Sequence, residues 1–152
     1  MKHKSFEIIE YQKEYEPQLI SFLERCLPES HRCLDINCRH SYYMNIAEHF
    51  AGFWCMFDGS NIIGTVAVSE LESQGCELKS LYLLEKYQGM GYGKEMLIYA
   101  INQAKKYGYT KMFLDSLSTS TKAIALYRRV GFNDTEKYNS SVYSDVFMVL
   151  DL

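Results

Sequence analysis

The segment Gln88-Gly89-Met90-Gly91-Tyr92-Gly93 constrains the fold more than any other stretch of this chain. It follows the apolar run Leu81-Tyr82-Leu83 and precedes Met96, Leu97, Ala100, Ile101 and Ala104, whose steps of three and four are the stripe of a helix packed on a sheet. A strand that runs straight into glycines and then a helix gathers backbone N–H groups and a positive helix end at one point, which suits phosphate oxygens. Glycine fits there because a Cβ would hold the backbone away from an anion and because such a turn demands positive φ. The spacing then excludes two common ligand classes. A dinucleotide fingerprint G-x-G-x-x-G counted from Gly89 and Gly91 would place its third glycine at Lys94. A nucleoside-triphosphate loop G-x-x-x-x-G-K-[ST] would need glycine at Gln88 and a hydroxyl at Glu95. What remains is Q-x-x-G-x-G, filled by Gln88, Gly91 and Gly93.

The elements around the loop alternate. Phe6 to Glu10 predicts a first strand, and Glu14 to Cys26, with Leu19, Ile20, Phe22 and Leu23 at helical spacing, predicts a helix that Pro28 ends. Ser41 to Phe50 reads as a second, shorter helix. Phe53–Phe57 and Ile62–Val68 flank Asp58-Gly59-Ser60-Asn61, a hairpin signature. Glu77 to Leu83 is the next strand, with Gly75 marking the turn before it. Gly108 stops the helix that begins near Gly93. Met112 to Leu114 is a short strand, Thr119 to Val130 a helix ending at Gly131, and Val142 to Leu150 a closing strand. Strands in one run with helices between them imply an α/β or α+β sheet covered by helices. With 152 residues and no linker or repeat, a single domain over residues 1–152 is expected.

Composition narrows the function classes. Apolar residues make up 47% of the chain and prolines number two, which is the composition of a folded globular protein. A net charge of -3 without a basic run leaves no footprint for nucleic acid or an anionic membrane. No stretch reaches the roughly 20 apolar residues of a membrane span, and the start Met1-Lys2-His3-Lys4-Ser5-Phe6 lacks an apolar signal core, so a soluble cytoplasmic protein is expected. The five cysteines are irregularly spaced and fit a reducing compartment. Cys26, Cys33 and Cys38 lie near His31 and His40, but no spacing is C-x-x-C, so buried or loop thiols are expected and no metal.

The loop resembles the acetyl-coenzyme A motif of the GNAT superfamily of N-acetyltransferases, and the resemblance extends beyond it. Leu81-Tyr82-Leu83 and Tyr87-Gln88-Gly89 look like the family's cofactor strand and its approach to the loop. Ala123-Ile124-Ala125-Leu126-Tyr127-Arg128-Arg129-Val130-Gly131-Phe132 is similar to the family helix A-I-x-L-Y-x-x-x-G-F, and the order of elements from residue 6 to 150 also matches. The resemblance implies a mixed, mostly antiparallel central sheet with splayed central strands, flanked by about four helices. It also implies acetyl-coenzyme A as co-substrate. Leu81, Tyr82 and Leu83 would line the pantetheine arm, while Gln88, Gly89, Met90, Gly91, Tyr92, Gly93 and Lys94 would hold the pyrophosphate. Lys94 either adds charge there or is simply a solvated lysine at a helix start.

One position departs from the pattern. Three residues before Ala123 the family often has an asparagine that bonds the pantetheine arm, and here it is Ser120, whose hydroxyl has a shorter reach. Ser118 to Thr121 equally reads as a capping cluster for the last helix.

Acetyl transfer to an amine poses two proton problems. The amine must lose a proton before it attacks, and the departing thiolate must gain or share one. Tyr127 matches the family's general acid, a phenol still protonated at neutral pH. Glu77 lies six residues before Leu83, where some members, including the histone-acetylating branch, carry a catalytic base; in other members ordered water takes that part, and an exposed strand-end glutamate is the alternative. The Leu83 N–H is the implied oxyanion donor.

The acceptor is expected against residues 27 to 45 and 136 to 145, which carry Tyr42, Tyr43, Tyr138 and Tyr143, with Trp54 on a nearby strand; core packing explains the same aromatics. A small-molecule primary amine is the first expectation. The alternatives are a peptide or protein amine, since Asp145 to Leu150 also resembles the ends of ribosomal-protein N-terminal acetylating enzymes, and a non-catalytic coenzyme-A-binding module. A homodimer is common in the family, and no sequence feature here signals one.

Overall fold

The two runs flanking Gly59 form a hairpin whose strands are buried on both faces, and the rest of the molecule is built outward from it. The computed structural model describes residues 4–152; Met1, Lys2 and His3, part of the start discussed above, lie outside the described residues. In chain order the elements are β1 (Glu7–Glu10), α1 (Glu16–Glu29), α2 (Ile46–His49), β2 (Gly52–Asp58), β3 (Asn61–Glu70), β4 (Gly75–Leu83), α3 (Tyr92–Lys106), β5 (Lys111–Ser116), α4 (Thr121–Val130), β6 (Asn133–Asp134) and β7 (Val146–Asp151). They form a seven-stranded sheet in the order β1-β2-β3-β4-β5-β7-β6. Every pairing is antiparallel except that of β4 with β5.

Side chains that alternate along β2 show how the sheet is covered. Phe53 meets Tyr43 and Phe50 at centroid distances of 6.3 and 5.2 Å, whereas its neighbour Trp54 meets Tyr99 of α3 at 5.8 Å. Successive residues of a strand point to opposite faces, so α3 lies on one side of the sheet and the 41–50 segment on the other. That two-sided cover explains the continuous burial of β2 and β3, which would alternate if one face met water. The periodic residues of α1 and α3 join the same core, Leu19, Phe22 and Leu23 from the first and Met96, Leu97, Ala100 and Ala104 from the second.

The central strands part early. Among the described residues β4 and β5 pair only over Gly75↔Lys111, Cys76↔Met112 and Glu77↔Phe113, after which none of these strands lies beside that edge of β4. A bulge follows. Thr65 pairs with Tyr82 and Ala67 with Lys79, so Val66 faces both Ser80 and Leu81. Ser80 takes a φ of 54°, held by the Thr65 hydroxyl on its carbonyl at 2.7 Å and by Tyr43 Oη against its own Oγ at 2.7 Å. A bulge bends its strand and sharpens the twist, and here it does so just past the last pair with β5.

Several boundaries differ from the sequence expectations. Pro28 lies inside the last turn of α1, where its missing N–H forfeits a single bond back to the preceding turn and the helix ends one residue later, at Glu29. Ser41 to Phe50 is split into a 3-10 turn over Ser41–Met44 and the single turn α2, broken at Asn45 with φ -140° and ψ 61°. The turn before β4 is made by Ser73 and Gln74 at φ 56° and 62°, and Gly75 already belongs to the strand. β7 begins only at Val146, so residues 135–145 form an irregular connection, and β6 pairs with β7 through Asn133↔Val149 and Asp134↔Met148.

Candidate active site

The parting of β4 and β5 opens a cleft of about 750 Å³. Its walls include Leu81, Tyr82 and Leu83 from β4, Asp115 from β5, and Ser120 and Tyr127 from the start and end of α4. Gln88 stands at the loop end of the same cleft and donates its side-chain amide to the Leu83 carbonyl at 3.0 Å, which ties the loop to the end of the strand.

Gly89 and Gly91 have φ of 83° and 89°, a region in which an L side chain is strained, and neither has a heavy atom within 4 Å of where a Cβ would stand. Their requirement is therefore backbone conformation. Gly91 is the N-cap of α3, and the first helical bond runs from Glu95 N–H to the Gly91 carbonyl at 3.0 Å. The N–H groups of Gly93 and Lys94 lie at the open, positive end of the helix. Lys94 is exposed and has no ion-pair partner among the described residues. Met90 packs against the core edge. The Tyr92 side chain turns away from the loop: it is buried, its hydroxyl donates to the Lys4 carbonyl at 2.5 Å, and its ring meets Phe6 at 5.1 Å.

Tyr127 is 9% exposed, meets Phe132 at 5.8 Å, and among the described residues has no hydrogen-bond partner for its hydroxyl. Burial pushes that phenol up to about 12, with a smaller push from Tyr82 and an opposing pull from Arg32. It is a protonated donor at neutral pH. The Cys26 thiol at the cleft wall is likewise pushed up to about 12 by burial, with a smaller push from Glu29 and an opposing pull from Arg32. Ser120 occupies the N-cap position of α4, but no side chain caps that helix; its carbonyl accepts from Ile124 N–H at 3.0 Å, and the hydroxyl is left to the cleft.

Glu77 is 7% exposed and sits where β4 and β5 separate. Its Oε2 accepts from the Tyr138 hydroxyl at 2.5 Å and from Asn139 Nδ2 at 3.1 Å, and its Oε1 lies 3.2 Å from Lys79 Nζ. Burial would lower the Lys79 ammonium, and Glu77, joined by Tyr42 and Asp115, turns the balance upward, so the lysine stays charged. Burial, followed by the Glu77 carboxylate, raises Tyr138 well above the usual phenol range, so it acts as donor in this pair. Asn139 also donates to Asp115 Oδ2 at 2.6 Å, and Ser144 Oγ donates to Asp115 Oδ1 at 2.7 Å.

The expected aromatic set divides. Tyr42 and Tyr143 line the cleft, Tyr143 under the Arg39 guanidinium at 3.8 Å. Tyr138 reaches Glu77, whereas Tyr43 and Trp54 are buried in the core. Asp115 and Asn139 carry no motif in the sequence and enter the site only through their contacts with Glu77. Among the described residues no group of three or more His, Cys, Asp or Glu is arranged to hold a metal, and no helix is long and apolar enough to cross a membrane.

A bulged, splayed sheet with a glycine-capped helix at the mouth of its cleft defines a class, and comparison with known proteins identifies it. The model of the acetyltransferase (GNAT) family matches residues 11–132, and the chain belongs to that family. It is 35% identical over 92 residues to an uncharacterised N-acetyltransferase of Schizosaccharomyces pombe, a match covering 59% of this chain and 56% of that protein. The chain spans about half the length of the curated relatives it matches, 56% and 50% of the first two. In fold it is similar to a GNAT-family acetyltransferase from Staphylococcus aureus, with a TM-score of 0.86 at 20% identity over 97% of this chain and 99% of that one. It is also similar to the PaiA N-acetyltransferase of Thermoplasma acidophilum in complex with coenzyme A, with a TM-score of 0.76 at 20% identity over 98% and 100% of the two chains.

Proposed function

We propose that this protein transfers an acetyl group from acetyl-coenzyme A to a primary amine, first of all on a small molecule, by direct attack with both substrates bound. The observation that carries the reading is that Tyr127, a largely buried residue whose phenol is held protonated and has no hydrogen-bond partner among the described residues, lines the same cleft as the edge of β4 beyond Glu77 and Gln88 of the glycine loop.

The residues present fit the co-substrate. The unpaired edge of β4 over Leu81, Tyr82 and Leu83 offers backbone groups to an amide-bearing arm, and the loop and helix start from Gln88 to Lys94 offer N–H groups and one lysine to a pyrophosphate. The Ser120 hydroxyl, free of capping duty, is available to the arm in place of an asparagine. When bound, acetyl-coenzyme A supplies a thioester carbon that takes the amine's lone pair as its bond to sulfur breaks.

Within the chain, Tyr127 gives its proton toward the departing sulfur, and Glu77 accepts the proton that the acceptor nitrogen must lose, directly or through water. The Leu83 N–H stabilises the developing oxyanion. A coenzyme-A-binding module without catalysis would share the loop but give Tyr127 no task.

The test is release of free coenzyme A from acetyl-coenzyme A across a panel of small amines and peptides. Tyr127→Phe is expected to lower kcat about 100-fold, within the usual range for loss of a general acid, while calorimetric coenzyme A binding stays within about twofold. Full turnover by Tyr127→Phe ends the acid assignment. Tight acetyl-coenzyme A binding without turnover on any amine makes the protein a binding module.

A further inference from the structure

The side-chain nitrogen of Asn139 occupies the point at which two carboxylates from different strands converge. It donates to Asp115 Oδ2 at 2.6 Å and to Glu77 Oε2 at 3.1 Å. The backbone determines which end of the amide faces the acids: Ser141 N–H donates to Asn139 Oδ1 at 3.1 Å, so the oxygen faces the loop and the nitrogen faces the carboxylates. One nitrogen with two N–H bonds aimed at two carboxylates is the arrangement a primary ammonium makes. The bonds from Asn139 are already charge-assisted through their carboxylate acceptors, and an ammonium in the same place would add the direct attraction of its own charge for the two acids.

The surroundings leave room for that charge. Glu77 and Asp115 bring two negative charges, Lys79 pairs with Glu77 Oε1 at 3.2 Å, and Arg39 of the cleft wall is engaged with the Tyr143 ring at 3.8 Å. Among the described residues the hydrogen-bond donors to Asp115 are neutral, Asn139 and the Ser144 hydroxyl, and the Lys79 ammonium that pairs with Glu77 feels the Asp115 charge more weakly. Asn139 belongs to the irregular connection over residues 135–145, so its departure breaks no ladder bond. The bonds from Tyr138 to Glu77 and from Ser144 to Asp115 do not depend on it and keep both carboxylates aimed.

We propose that Glu77 and Asp115 form the seat of the acceptor's ammonium, and that Asn139 is an internal surrogate that leaves the seat when a primary amine binds. The inference rests on the proposed function for its reaction and deepens it by placing the acceptor: its ammonium is held between Glu77 and Asp115, at the point Asn139 otherwise fills. Asp115 binds the ammonium directly, and Asn139 is a positioning residue. Displacing Asn139 also frees one acceptor site on Glu77 Oε2, the oxygen that Tyr138 holds in place.

The experiment uses the full chain labelled with nitrogen-15. The Asn139 side-chain amide signals, assigned by their loss in Asn139→Ala, are followed while n-butylammonium or tetramethylammonium chloride is added at constant ionic strength. Butylammonium is expected to move these signals saturably toward the free-amide position, and tetramethylammonium, which has charge and no N–H, is expected to leave them in place. By calorimetry, Asp115→Asn is expected to weaken butylammonium binding about tenfold, the scale of one charge-assisted bond. Asn139→Ala is expected to bind it about threefold more tightly, since a site that no longer closes on itself loses nothing in opening.

Signals that do not move, equal responses to the two cations, or weaker binding by Asn139→Ala overturn the seat; a merely structural asparagine gives the last of these. The two readings fail separately. Displacement of Asn139 by butylammonium without coenzyme A release in the amine panel keeps the seat and removes the reaction. Turnover with an amine KM unchanged or raised in Asn139→Ala keeps the reaction and removes the seat.

Discussion

The hydroxyl of Tyr138 donates to Glu77 Oε2 at 2.5 Å across 61 residues of sequence, joining the connection before β7 to the point where β4 leaves β5. The buried carboxylate is thereby held by a segment that is neither strand nor helix. Removing the donor tests how much the site depends on it. Tyr138→Phe should keep the ring contacts with Phe113 at 4.9 Å and Phe147 at 5.9 Å and lose only the bond. A hydrogen bond to a charged group contributes roughly 1.5–3 kcal/mol, so the urea midpoint should fall with the m-value unchanged. In a Glu77→Gln background the same substitution should cost clearly less, and equal costs in the two backgrounds would deny the coupling.

The glycine loop separates conformation from contact. Gly91→Ala must adopt φ 89° with a Cβ, at a cost of roughly 1–2 kcal/mol, which for a chain of this size lowers Tm by about 2–4 °C per kcal/mol. Gly93 has no positive φ, and an added Cβ would meet only Leu126 Cδ2 at 3.9 Å, so Gly93→Ala should not lose stability. Calorimetry with coenzyme A then asks about function. If these N–H groups hold the pyrophosphate, Gly91→Ala weakens binding, and affinity retained despite the lowered Tm contradicts that role.

Buried phenols and thiols make the fold sensitive to alkali. Burial pushes Cys26, Cys55 and Cys76 from 9.0 up to about 12, and Tyr127 from 10.0 up to about 12. Above pH 9 the unfolded chain therefore releases protons that the folded chain keeps, and stability falls as pH rises through this window. More than about one unit below 9.0 these groups are protonated in both states and contribute no slope. Urea midpoints measured under reducing conditions should be flat for these groups up to about pH 8 and decline progressively from there to about pH 11. A midpoint constant to pH 11 would contradict their burial.

Much of the fold was legible because its signals are local. The helical stripe of α3, the Gly59 hairpin and the strand preceding Gln88 each rest on residues within one element, where periodicity and turn chemistry act directly. Boundaries moved where longer contacts intervened. Ser41 to Phe50 reads as one helix, but Tyr43 must reach Ser80 and Phe50 must reach Phe53, and the segment breaks at Asn45. The bulge at Ser80 had no signal, because a serine at φ 54° is held there by Thr65 and Tyr43 from other parts of the chain.

The sequence by itself determined the loop of Gln88, Gly91 and Gly93 and the helix carrying Tyr127, since each lies in one contiguous segment whose spacing is its meaning. Through the family resemblance it also pointed to Glu77, six residues before Leu83. Only the tertiary structure decided what surrounds Glu77: Tyr138, Asn139 and Asp115 are separated from it or from one another by 61, 62 and 24 residues. Such a cluster leaves no period or motif in the chain. It exists because two strands part and a loop without secondary structure turns back to satisfy the buried Glu77 and the half-buried Asp115 that the parting leaves behind.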